Sequence, residues 1–154
     1  MSGGLTGGTP YLCKQQRNGT TDLEVWAIPA PSGSGTITIN YSGTFDHQSN
    51  AMLVNGANQA SPCSAADSVG TTGNNASSLT VTPTNLTSLD LVVYGGAHSL
   101  SGDQIHATTG TEGFYGNATL TNLAVGYRAG TGSVTATWVV PSPTEALVGG
   151  RLQP

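Results

Sequence analysis

The sequence predicts an all-β protein, an antiparallel two-sheet sandwich of the jelly-roll type with about eight or nine short strands. Three observations carry that expectation. The 154 residues include 22 glycines and 8 prolines among abundant Ser, Thr and Asn, a turn-dense composition rich in β-branched residues. Apolar side chains recur with a period of two in short runs bounded by turn signals. No amphipathic helical pattern lies between those runs, which a parallel α/β fold would require.

Taken in order, residues 1–10 read as a flexible leader or contact arm, and 11–154 as one sandwich domain. Residues 11–15 form a first short strand, closed by the Arg17-Asn18-Gly19 turn. In residues 22–28, Leu23, Val25 and Ala27 share one face and Trp26 and Ile28 the other, so this strand reads as central. Residues 36–41 show the cleanest alternation in the chain, with Ile37, Ile39 and Tyr41 expected inward. Residues 50–54 make a compact apolar strand. The polar stretch 55–75 is long for a loop, and a short strand or helical turn near 64–68 is expected within it. Residues 77–82 and 89–94 are further strands, and a second long loop is expected over 95–116.

The C-terminal third is the most regular part. Val134, Ala136, Trp138 and Val140 alternate with polar neighbours, the period of a half-buried strand. The segment ending at Tyr127 is expected to meet it in a hairpin through residues 128–132. A third run, Ala146-Leu147-Val148, completes a three-stranded unit pinned by Trp138.

Composition narrows the role. Only 8 % of residues are charged, against about 25 % in ordinary soluble domains. Four scattered cations, Lys14, Arg17, Arg128 and Arg151, in a chain of net charge −4 make no stripe for a phosphate backbone or an anionic membrane. Nucleic-acid and membrane partners are therefore not expected. Cys13 and Cys63 read as small buried apolar side chains, with one disulfide as the alternative.

Few residues offer chemistry. His98, Asp103 and His106 fall within one expected loop and are weak candidates for a divalent metal; their plainer reading is solvated polar side chains. Asp46-His47 and His98-Ser99 lack the elbow of a nucleophile site. The carboxylates are too dispersed to nominate a glycosidase pair. No cofactor motif is present and no enzymatic activity is expected. Among the aromatics, Trp26, Tyr94 and Tyr127 read as core, whereas Phe114 and Tyr115, flanked by glycines, read as an exposed pair that could stack on a sugar.

The order of several signatures resembles a recurrent all-β domain. Gly7-Gly8-Thr9, then Leu23-Glu24-Val25-Trp26 leading into Pro29-Ala30-Pro31, is similar to one part of it. Thr36-Ile37-Thr38-Ile39, Ser88-Leu89-Asp90-Leu91, Gly132 to Trp138 and Ala146 to Pro154 are similar to the rest. That domain occurs in tailed-phage virion proteins, both head-decorating and minor tail, and in bacterial surface proteins. The resemblance implies a structural component of a virion, assembled in the host cytoplasm and acting with other copies of itself, a threefold cluster being natural, and with a major capsid or other virion protein. The alternative it implies is a carbohydrate-binding or adhesive module at a cell surface. Members of this type begin with strands ahead of the Gly-Gly turn, so one or more N-terminal strands are expected to be missing here, leaving an edge for a partner to cover. Tyr11, Leu12 and Lys14 are the weak candidates for that assembly contact.

Overall fold

The computed structural model describes residues 2–3, 6–43, 47–99, 105–107, 109–117, 122–138 and 144–154, leaving the side chains of 2, 3, 105–107, 112, 114, 115 and 117 outside that description. Among these residues there are twelve strands and no helix. They are β1 (Ser2–Gly3), β2 (Tyr11–Asn18), β3 (Thr21–Ala27), β4 (Gly35–Thr36), β5 (Cys63–Gly73) and β6 (Ser78–Val81), then β7 (Leu91–His98), β8 (Ile105–Ala107), β9 (Thr111–Asn117), β10 (Asn122–Ala129), β11 (Val134–Trp138) and β12 (Glu145–Leu152).

The organising layer is a five-stranded antiparallel sheet in the order β5-β12-β7-β10-β9. A three-stranded sheet, β6-β11-β8, faces it, and together they form an antiparallel β-sandwich. Alternation explains the packing. Leu147, Val92, Tyr94 and Ala124 point from the larger sheet to meet Leu79, Val81, Val134, Ala136 and Trp138 of the smaller one. Their neighbours Ala146, Val148, Ala97 and Leu123 point the other way, onto Leu23 of the β2–β3 hairpin. The interior strand β12 is thus buried on both faces. Its Leu147 and Val148 are completely buried, each worth about 1.5–3 kcal/mol.

Gly126 sits beside a register shift in β10, where a Cβ would run into the Tyr94 hydroxyl and the Thr111 carbonyl. Only a glycine lets the Tyr94 hydroxyl reach its acceptor, the Thr111 carbonyl oxygen, at 3.1 Å.

Several sequence expectations need correction. Residues 122–129 and 134–138 do not form a hairpin, because β10 belongs to the large sheet and β11 to the facing one. Residues 128–132 are therefore an arch between layers. Gly130 and Gly132 adopt positive φ there, and Arg128 Nη1 donates to the Ser133 carbonyl at 2.8 Å. In the stretch 55–75 the short strand or helical turn expected near 64–68 is a strand, and a longer one, the eleven-residue β5. The supposed loop 95–116 begins as β7, which continues through Gly95 and Gly96 to His98, and also holds β8 and β9.

The largest difference concerns residues 36–41 and 50–54. The first run leaves its strand after Thr36, and Ile37, Ile39 and Tyr41 are 45 %, 53 % and 47 % exposed instead of inward. The second forms no strand, and its Leu53 is 72 % exposed. A pairing partner is the missing ingredient, since alternation alone does not supply the ladder that holds a strand.

Cys13 and Cys63 are buried, and they form a disulfide instead of standing as separate thiols. The bond joins β2 to the start of β5. Next to it the Tyr11 hydroxyl accepts the Cys63 amide at 2.9 Å.

Candidate functional site

His98 lies in the sandwich, not in a loop. It is completely buried on β7, with Asn122 and Glu145 as its cross-strand neighbours on either side. Asn122 Nδ2 is 3.0 Å from His98 Nε2, and the Trp138 ring stacks on the imidazole at a centroid distance of 6.1 Å. Asp103 lies outside the described residues. His106 is placed by its backbone alone, opposite Thr137 in the smaller sheet. Among the described residues no group of three or more His, Cys, Asp or Glu is arranged around a metal position. Ser99 Oγ accepts from the Thr144 hydroxyl at 2.7 Å. His47 stacks on Tyr41, while Asp46 lies outside the described residues.

The aromatic side chains sort differently from the sequence expectation. Tyr94 is core, but Tyr127 is partly exposed and Trp26 is 54 % exposed. In β3 the buried phase is Thr21, Leu23 and half-buried Val25, which turns Asp22, Glu24 and Trp26 outward. The Trp26 indole N–H donates to Glu24 Oε2 at 2.8 Å. On the same outer face Gln15 Nε2 donates to both Asp22 carboxylate oxygens, and Arg17 pairs with Asp22 at 3.1 Å. Phe114 and Tyr115 lie in β9, opposite Val125 and Ala124, with side chains outside the description. Leu12 and Lys14 face Trp26 and Val25 across a register shift in the hairpin, and all of Tyr11, Leu12 and Lys14 are half-buried.

A buried polar group that the sequence reading missed is the Arg151 clasp. Arg151 Nη1 contacts Asp67 at 2.7 Å, and its Nη2 and Nε contact Asp90 at 3.2 Å. Hydrogen bonds from Ser64 and Asn85, and from Arg151 itself, hold the Asp67 carboxyl at about 2. Burial alone would raise Asp90, but the Thr87 amide and Arg151 outweigh it and lower its pKa. These donors and acceptors are engaged with one another, so the clasp fastens β12 to β5 and to the turn before β7.

Several large apolar side chains are also left open. Ile37, Ile39, Tyr41, Met52, Leu53, Leu89 and Tyr127 are all exposed. Met52 to Asn55 stand beside Leu91 and Tyr127 with a cleft of about 340 Å³ between them. A second, of about 240 Å³, runs on past Val54 to Ser88 and Leu152. Between Glu24 and Asp67 the only Asp, Glu, Lys or Arg is Asp46. Exposed apolar groups gathered on a nearly uncharged segment are the character of an interaction surface. No family model, curated protein or solved structure matches the chain.

Proposed function

We propose that this protein is a non-enzymatic structural component of a phage particle, a head-decorating or surface-fibre protein that works by associating with copies of itself. The single observation that carries the reading is the uncovered apolar run of Ile37, Ile39, Tyr41, Met52 and Leu53 on a segment with almost no charge. Like charges are nearly absent there, so identical copies meet without repulsion and gain by covering one another. The resemblance to tailed-phage domains supplies the location, the jelly-roll type of the sandwich and the second partner, a major capsid or other virion protein. Light scattering and sedimentation over a wide concentration range test the reading, followed by addition to bare capsids. A stable oligomer that adheres to capsids is the expected result. A monomer at every concentration that leaves capsids bare refutes it.

A second reading, a glycan-binding module, is favoured by the exposed Trp26 platform, flanked by Glu24, Gln15 and Asp22. An indole face stacks on the C–H face of a pyranose while planar polar groups take its hydroxyls. Phe114 and Tyr115 remain candidates for the same role. Glycan binding abolished by Trp26→Ala would favour this reading over the first.

A further inference from the structure

The hairpin covers only part of the large sheet. Leu23 packs with Ala97, Leu123, Ala146 and Val148, so β3 lies above β12 and β7. Val125 packs at the border of that cluster, and past it, on the same face, Leu91 and Val93 are half-buried and Tyr127 is 37 % exposed. The register sets these groups side by side: Tyr127 is opposite Val93, Val125 opposite Gly95. Among the described residues β3 pairs with β2 alone, so its other edge, directed toward this apolar strip, carries no ladder. Met52 to Asn55 border this strip at Leu91 and Tyr127 across the open cleft, and an unpaired edge above such a partly open apolar strip is a place for one more strand.

The chain also presents a strand that has no ladder. Residues 36–41, Thr-Ile-Thr-Ile-Asn-Tyr, contain no charge, proline or glycine, and their β-branched alternation favours a pleated, half-buried setting. Their base is held elsewhere. Gly35–Thr36 pairs with Ser2–Gly3, Thr6 and Ser32 exchange backbone hydrogen bonds of 2.8 and 2.9 Å, and the Gly8 amide donates to the Pro29 carbonyl at 2.7 Å. That ribbon fixes the run at its start and leaves Ile37, Ile39 and Tyr41 facing solvent.

We propose that residues 36–41 of one copy add as a strand to the free edge of β3 in a second copy, placing Ile37, Ile39 and Tyr41 over Leu91, Val93, Val125 and Tyr127. This rests on the self-association reading and specifies its contact. The donor run is uncharged, and Asp22 and Glu24 of β3 point to the outer face, away from the apolar strip, so the match is one of apolar surface and of backbone donors with backbone acceptors. The contact is head-to-tail, since each copy gives a strand on one side and receives one on another. Such a contact closes into a ring or extends into a fibre.

Two variants test it, each at a residue exposed enough to leave the fold intact, which a thermal melt verifies. Ile39→Asp disables the donor and Tyr127→Asp the acceptor. Each alone is expected to weaken association about tenfold or more, because a carboxylate is forced into an apolar contact. Mixed together they are expected to form heterodimers, since the good donor of one fits the good acceptor of the other. Hydrogen exchange provides the second readout: amides of β3 and of residues 37–41 should gain protection together, and only as copies associate. Oligomers indifferent to both substitutions, or variants that fail to complement, overturn the strand contact while leaving self-association standing. Protection at all concentrations in a monomer means that the chain's own segment closes on β3, which overturns both readings. A monomer without protection also overturns both.

Discussion

Removing the disulfide should cost this protein a large part of its stability. Cys13 and Cys63 are separated by 50 residues, and the loop they close contains most of the β2–β3 hairpin and the whole extended apolar segment. For a loop of that length, chain entropy gives about −14 cal/mol/K, or about 4 kcal/mol at 25 °C. The comparison is oxidised wild type against the Cys13→Ala/Cys63→Ala double variant, unfolded in urea. Fluorescence of Trp138, buried in the sandwich, reports the transition. With a urea slope of about 2 kcal/mol/M, the midpoint should fall by about 2 M. A fall of less than about 0.5 M would refute the reasoning, because the unfolded chain would then already hold the two ends of the loop together.

Three further outcomes follow from the packing. Trp138→Ala should lower stability by about 3–5 kcal/mol by opening a cavity between the sheets, whereas the exposed Trp26→Ala should shift it by less than about 0.5 kcal/mol; paired thermal melts check both. Stability should decline in acid. The Asp67 carboxyl lies below its ordinary 3.8, so its contribution is present above that value and is lost as the pH falls through about 2. Urea midpoints measured from pH 7 to pH 2 should show the decline, and Asp67→Asn should flatten it. Gly126→Ala should destabilise by driving a methyl group against Tyr94 and Thr111, and Tyr94→Phe in the same chain should relieve only the hydroxyl part of that clash.

Much of the sandwich was legible because its strands announce themselves by alternation. Val134, Ala136 and Trp138 were expected inward and are buried, and the Asn18-Gly19 turn joins β2 to β3. The strand β5 was legible only in part, as a short strand or helical turn near 64–68. Its Cys-Ser-Ala-Ala-Asp-Ser-Val-Gly sequence carries no apolar period, and it is held by its ladder to β12 and by polar contacts such as Ser68 Oγ to the Ser64 carbonyl. Trp26 was misplaced because its strand has apolar groups in both phases, and only the packing of Leu23 decides which phase is inside. The opposite error befell residues 36–41, where a clear period came without a partner strand. The Arg151 clasp left no local signal, because Asp67 and Asp90 are 84 and 61 positions away from it. The open apolar surface was visible only once the expected strands were found outside the sheets.

The position of β12 has a consequence for how the chain is made. It lies between β5 and β7, yet a ribosome produces it after both. For the time taken to synthesise the more than forty residues between His98 and Glu145, the two finished strands have a vacant slot between them. The large sheet cannot zip up as it emerges; it must wait for the strand that joins β5 to the rest. At typical elongation rates that interval lasts about 2–10 s, during which β5 and β7 both have bare edges. Slower translation would lengthen that exposure, so yield of native protein should depend on the speed of synthesis as well as on final stability.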